Sequence, residues 1–201
     1  MGTLIAYELG AEDNDSFMLG PDTFTPVVRS FYHWRFGKNG VPHPETCKSC
    51  GRKTNEHFIN PGFRARKRNK DVGATYDGYF LVSRRFRDVC TGEHRSGAEF
   101  VALPADPDYF VLRSTRALRY DAGRREDYCA ECAAYFSVVM PIPAFAAGSV
   151  QPLSAGFYRS DIEFASGHEQ HPILLVGPAT GDLLRKQKFC GGFQLQEVRT
   201  A

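Results

Sequence analysis

The sequence predicts an α+β fold with a short-stranded mixed or antiparallel sheet and few helices. The chain has 201 residues, of which 42% are hydrophobic and 24% are charged, as is typical of a globular protein with a sizeable core. Short apolar runs bounded by glycine and proline predict short strands. Two of these runs lead into helical spacing and then into a further strand. We expect residues 1–201 to form a single domain.

The first third of the chain predicts little regular structure. Leu4 and Ala6, with Leu9 beyond them, indicate one short strand within residues 1–36. A group of aromatic residues follows and is expected to join the core: Phe31, Tyr32, Trp34 and Phe36. Residues 37–73 are rich in glycine, proline, asparagine and basic residues, which predicts a loop region.

Residues 78–103 are predicted to form a small strand–helix–strand unit. The apolar run at 79–82 indicates the first strand, and Ser83 after it is a suitable helix N-cap. Residues 84–90 show helical spacing of apolar side chains. Residues 99–103, which follow a glycine, predict the second strand.

A second strand–helix–strand unit is predicted in residues 171–198. A strand at 172–176 precedes Pro178, which favours the first position of a helix over 179–188, and a strand at 193–198 closes the unit. Three further strands are expected between the two units: 108–113, 117–120 and 135–140. The two units are weakly similar at a constant offset: Leu81, Val82 and Asp88 correspond to Leu175, Val176 and Asp182.

Two Cys-x-x-Cys pairs carry the strongest chemical signal in the chain. The pairs are Cys47 with Cys50, and Cys129 with Cys132. Gly51 follows the first pair and suits a tight turn, and the second pair lies within residues 127–134. Two intervening residues let one turn direct both sulfurs at one ion, and four thiolates complete a tetrahedral structural Zn²⁺ site. We predict one shared zinc-ribbon-like site, with a redox pair, a disulfide or one inactive half-site as alternatives.

Histidines and paired carboxylates offer weaker candidate sites. His168 and His171 flank Glu169, but histidines three apart in a loop have no fixed facing geometry, so a plain loop is the favoured interpretation. His43 and His57 bracket the first cysteine pair and could replace a cysteine ligand only if one were missing. Asp161 and Glu163 would share one face of a strand, where an exposed acidic edge is expected rather than a catalytic pair.

Charge and motifs exclude several function classes. The net charge of +2 is too small to imply a nucleic-acid partner, and no apolar stretch is long enough to predict a membrane-spanning helix. Phosphate-binding loops, nucleophile elbows and metalloprotease helices are absent from the sequence, so we predict no enzymatic activity. Cys90 and Cys190 complete a cysteine content typical of a reducing compartment. One basic run is expected to be a solvated loop: Arg64, Arg66, Lys67, Arg68 and Lys70.

The chain is similar to the double-CXXCG motif proteins, a paralogous group of myxobacteria that includes immunity proteins of swarming-inhibition toxins. The cysteine pairs and two C-terminal segments, 156–167 and 172–178, carry the resemblance. It extends over residues 45–200. The second pair departs from the motif, because Ala133 stands where the first pair has Gly51, which makes zinc ligation there less typical.

The resemblance implies a cytoplasmic, non-enzymatic protein that binds and neutralises a cognate bacterial toxin. Its structural Zn²⁺ would be held by the four paired cysteines. The alternative is a zinc-ribbon module that binds nucleic acid through the basic run at residues 64–70.

Overall fold

The computed structural model describes residues 2–20, 37–38, 41–140 and 151–199. The predicted aromatic cluster lies outside these described residues: Phe31, Tyr32, Trp34 and Phe36. In the described part of the chain, no helix is both long and apolar enough to cross a membrane.

Strands account for most of the regular structure. The strands are β1 (Leu4–Ala11), β2 (Gly37–Lys38), β3 (Val41–Pro42), β4 (Val72–Ala74), β5 (Phe80–Ser83), β6 (Ala98–Leu103), β7 (Asp106–Ser114), β8 (Ala117–Leu118), β9 (Arg124–Cys129), β10 (Ala134–Val139), β11 (Phe157–Ser166), β12 (His171–Val176) and β13 (Phe193–Arg199). The helices are α1 (Arg84–Val89) and α2 (Pro178–Lys186), with 3₁₀ turns at Gly92–Arg95 and Gly167–Glu169.

The predicted α+β class is wrong, because the described structure is built mainly from antiparallel sheets. Strand content is 42% and helix content is 13%. The largest sheet has the order β13-β1-β12-β11-β10-β9, with β8 running parallel to β11. A four-stranded sheet has the order β4-β5-β7-β6, and β2 pairs with β3. An isolated bridge between Asp13 and Ala74 joins the end of β1 to β4.

The two expected strand–helix–strand units fail as units because their own strands do not pair with each other. β5 and β6 both pair with β7, where Leu81 and Val101 lie on either side of Val111. β12 and β13 both pair with β1 in the same way. In each case an antiparallel strand that is not part of the predicted unit lies between the two strands of that unit: β7 in the first case and β1 in the second.

The local helix signals are confirmed despite the different architecture. The Ser83 hydroxyl accepts a hydrogen bond from the Phe86 backbone N–H at 3.2 Å, which satisfies one of the unpaired donors at the start of α1. Pro178 begins α2 after Gly177, as the sequence predicts. Helix α2 approaches β1 closely because Gly181 has no side chain, and a Cβ there would lie 2.0 Å from the Tyr7 ring.

The main core fills the space between the two larger sheets. Tyr7 and Leu174 contribute from one sheet, and Val82 and Leu112 contribute from the other. Phe86 of α1 is fully buried at this junction. Three aromatic rings lie around the Phe86 ring with centroids within 6.4 Å: Phe157, Phe189 and Phe193. Cys90 is also 0% exposed in this core, and therefore acts as a small buried apolar residue.

Truncation of Phe86 is expected to destabilise the protein strongly. Phe86→Ala removes a fully buried ring and leaves a cavity, so the free energy of unfolding should fall by about 3–5 kcal/mol in chemical denaturation. Val139→Ala is the matched control, because Val139 is 42% exposed and its truncation should change stability by no more than about 0.5 kcal/mol. Equal losses in the two variants would contradict this core.

Candidate metal centre

The four paired cysteines converge on one point. Their Sγ atoms all lie within 4.8 Å of one another. Two cross-pair separations are 3.8 Å, from Cys47 to Cys129 and from Cys50 to Cys132. A tetrahedral ion with metal–sulfur bonds near 2.3 Å holds its sulfurs about 3.8 Å apart. A disulfide needs a separation of about 2.05 Å, and all four cysteines are free thiols. The four sulfurs therefore form a candidate metal site.

The first pair sits in a tight turn closed by backbone hydrogen bonds. The Cys47 N–H donates to the Arg52 carbonyl at 2.8 Å, and the Gly51 N–H donates to the Cys47 carbonyl at 2.8 Å. Gly51 has a φ of 77°, a left-handed conformation that glycine adopts without steric cost. An isolated bridge between Thr46 and Lys53 closes the base of this turn. Both sulfurs consequently project toward the same side.

The second pair occupies the turn of the hairpin formed by β9 and β10. Cys129 ends β9 and pairs with Ala134, the first residue of β10. Ala133 has a φ of 52° and takes the left-handed conformation that Gly51 takes in the first turn. The methyl group makes this conformation cost about 1 kcal/mol. Ala133 therefore adopts the same kind of turn as Gly51, at an energetic cost that glycine would avoid.

Backbone donors lower the pKa of one thiol of the cluster, and burial raises the pKa of two others. Hydrogen bonds from the backbone N–H groups of Cys132 and Glu131 lower the pKa of the Cys129 thiol to about 7. Burial raises the pKa of Cys50 and of Cys132, because a thiolate is poorly solvated there. Cys129 therefore ionises more readily than Cys50 or Cys132. The buried thiols would ionise when a cation supplies the compensating charge.

Arg52 connects the first turn to the large sheet. Its guanidinium lies 2.6 Å from the Glu163 carboxylate on β11 and donates to the Gln170 side-chain oxygen at 2.5 Å. The Gln170 amide, 1% exposed, donates in turn to the Phe136 carbonyl of β10 at 3.0 Å. Ser49 also hydrogen-bonds Glu131 across the two turns. The cluster is thus anchored to β10 and β11 by polar contacts.

The predicted acidic pair does not form an exposed edge. Glu163 is bound by Arg52 and its side chain is only 17% exposed. Asp161 is exposed and accepts the Tyr120 backbone N–H at 2.8 Å. A register shift in β11 between Arg159 and Glu163 interrupts the alternation that would have placed both carboxylates on one face. The sequence therefore misassigned Glu163.

The histidines lie away from the sulfurs. Burial lowers the pKa of His168 to about 4, with Lys53 adding to the effect, so this ring is neutral at pH 7. The His171 Nδ1 atom lies 2.7 Å from the Glu169 carbonyl oxygen. His43 accepts the Glu45 backbone N–H, and His57 lies beside Glu56. Among the described residues, the group that could hold a metal ion is the four cysteines predicted from the sequence.

Three side chains of the basic run form ion pairs with carboxylates from other segments of the chain. Lys67 lies 2.8 Å from Asp15, and Lys70 pairs with Glu12. Arg68 lies 3.0 Å from the buried Asp106. These ion pairs neutralise much of the positive charge that the sequence displays at residues 64–70.

Sequence reasoning missed the residues that surround the metal ligands. Gln170 and Arg52 meet although 118 positions separate them in the chain, and no motif marks either residue. No protein-family model matches the chain, and a comparison with curated proteins found no match.

We expect one metal ion per chain at this site. Cys47→Ser and Cys129→Ser each remove one of four sulfur ligands, so purified protein carrying either change should lose the bound metal in elemental analysis. Cys190→Ser is the control, because Cys190 lies outside the cluster and its loss should leave the metal content unchanged. Two ions per chain, or metal retained in both ligand variants, would refute a shared site.

Ala133→Gly should stabilise the metal-loaded protein by about 0.5–1 kcal/mol, since glycine relieves the left-handed strain. The reciprocal change Gly51→Ala places a methyl group in the matching turn and should destabilise by a similar amount. Thermal denaturation of both variants beside the natural protein measures the difference. A lower melting temperature for Ala133→Gly would show that the turn is not strained at this residue.

Proposed function

We propose that the protein is a non-enzymatic binding protein held in shape by one structural Zn²⁺ ion. The donor set supports this, since four thiolates that converge on one point suit tetrahedral zinc and would leave no open coordination position for water or substrate. Cys47, Cys50, Cys129 and Cys132 would hold the ion. Zinc bound in this way stabilises folding, and the function then depends on the surface around it.

An exposed aromatic pair beside the metal centre carries the proposal of protein binding. Tyr128 of β9 is 59% exposed and lies opposite Tyr135 of β10, which is 39% exposed. The two ring centroids lie 5.2 Å apart in a T-shaped arrangement. Val139, on the same face of the hairpin, is 42% exposed. Exposed tyrosines next to apolar side chains are typical of protein interfaces.

The resemblance to the double-CXXCG motif proteins makes a toxin the proposed partner. In this proposal the protein acts in the cytoplasm and neutralises a cognate bacterial toxin by occupying its surface. Free thiols at all six cysteines agree with a reducing compartment. The alternative of nucleic-acid binding has less support, because Lys67, Arg68 and Lys70 are already paired with carboxylates.

The tyrosine pair provides the test of this proposal. Tyr128→Ala combined with Tyr135→Ala should weaken binding to the product of an adjacent toxin-like reading frame by at least about tenfold, because aromatic anchors dominate interface energies. Affinity is measured by biolayer interferometry, and protection is measured by survival of cells that express the toxin.

Tyr76→Ala is the matched control, since Tyr76 is also 39% exposed but lies away from the hairpin. It should leave toxin affinity unchanged. If the natural protein neither binds the toxin nor protects cells from it, the immunity proposal fails. Tight, salt-dependent binding to DNA or RNA in a gel-shift assay would instead favour the nucleic-acid alternative.

A further inference from the structure

A cavity of about 600 Å³ opens between the two larger sheets. Its apolar wall continues the main core and includes Leu9, Phe80, Leu112 and Leu174. Charged side chains lie along the rest of its lining. Cavities of this volume with an apolar wall and a few polar groups are typical of small-molecule sites. The metal centre and the tyrosine pair are not part of this lining.

Lys53 is the most buried charged group in the cavity lining. Lys53 is only 5% exposed, and its Nζ donates a hydrogen bond to the Asp77 carbonyl at 2.7 Å. The Nζ also lies 4.4 Å from the centroid of the Tyr79 ring. An ammonium group has three N–H donors, and the described residues supply one acceptor. Beside its contact with the Tyr79 ring, the ammonium therefore keeps donor capacity for an acceptor on a ligand.

Two arginines add positive charge to the same cavity. Arg113 donates to the Glu56 carbonyl at 3.4 Å, and Arg159 donates to the Ser160 carbonyl at 3.1 Å. Within the described residues, neither arginine forms an ion pair with a carboxylate, and neither does Lys53. Each guanidinium keeps donors that match a carboxylate or a phosphate.

Six carboxyl groups also lie along the lining, and they differ in pairing and exposure. Glu163 is paired with Arg52, and Glu56 lies beside both Glu163 and His57. Burial raises the pKa of the Glu8 carboxyl. The remaining acidic residues of the lining are solvent-exposed: Asp13, Glu99 and Glu169. The lining thus holds both signs of charge, and an anionic head group is favoured where Lys53, Arg113 and Arg159, which form no ion pair with a described carboxylate, face the cavity.

We propose that this cavity binds a small organic anion, with the carboxylate or phosphate head against Lys53, Arg113 and Arg159 and an apolar body against Leu112 and Leu174. The ligand would supply acceptors for the unused donors of Lys53. This proposal is independent of toxin binding, which would use the outer face of the hairpin.

Isothermal titration of the zinc-loaded protein with octanoate, octyl phosphate and octylamine tests the charge preference. The three probes share one apolar body, so only the head group differs. Octanoate or octyl phosphate should bind at least tenfold more tightly than octylamine. Tighter binding of octylamine, or no binding of any probe, would overturn the proposal.

Variants then locate the site. Lys53→Met and Arg159→Met should each reduce affinity for the anionic probe at least fivefold, and Ala74→Phe should block the cavity. Lys186→Met, on the exposed surface of α2, should leave the affinity unchanged. Thermal melting confirms that each variant is folded, and if Lys53→Met does not fold, Arg159→Met decides the result. Unchanged affinity in every folded cavity variant would show that the anion binds elsewhere.

Discussion

Closure of the cysteine cluster is the constraint on which the arrangement of the structure depends. Cys47 and Cys129 are 82 positions apart, and a link between them closes a loop that includes the whole four-stranded sheet. In the chain-entropy model, a cross-link over a loop of this length removes about 4.5 kcal/mol of conformational freedom from the unfolded chain. A metal ion held by both turns would act in the same way, because it joins segments that the backbone connects only through a long path.

The first cysteine turn also positions groups beyond the metal site. Arg52 and Lys53 follow Gly51 directly, and the bridge from Thr46 to Lys53 fixes their directions. Arg52 extends to Glu163 and Gln170 on the large sheet, whereas Lys53 enters the cavity between the sheets. Two adjacent residues thus couple the cluster to both neighbouring regions. Disruption of the turn would release the Glu163 carboxylate, which is costly in a partly buried position.

The sequence predicted local elements and the clustering of the four cysteines better than it predicted strand partners. The cap at Ser83 and the cysteine spacing are short-range patterns, so their physical causes lie within a few residues. The insertion of β7 between β5 and β6 depends on distant contacts that periodicity does not encode. Strand β9 was missed because it is a polar edge strand, and Glu163 on β11 was misassigned because a register shift breaks the alternation of that strand.

The hairpin of β9 and β10 links the metal centre to the proposed interaction surface through simple strand alternation. Phe136 points inward and packs against Cys47 and Cys50, whereas its neighbour Tyr135 points outward and meets Tyr128. The contact with the cysteine cluster therefore fixes the inner face of the hairpin. Because alternate residues of the same strands form the outer face, this contact also positions the two tyrosines. Strand β9 is the last strand of the sheet, whereas β10 is also paired with β11 and accepts hydrogen bonds from the Gln170 amide at its Tyr135 and Phe136 carbonyls. If the four cysteines hold a metal ion, its loss would release the turn that ends β9, so Tyr128 on this edge strand would be displaced more than Tyr135 on β10, without any change in the tyrosines themselves.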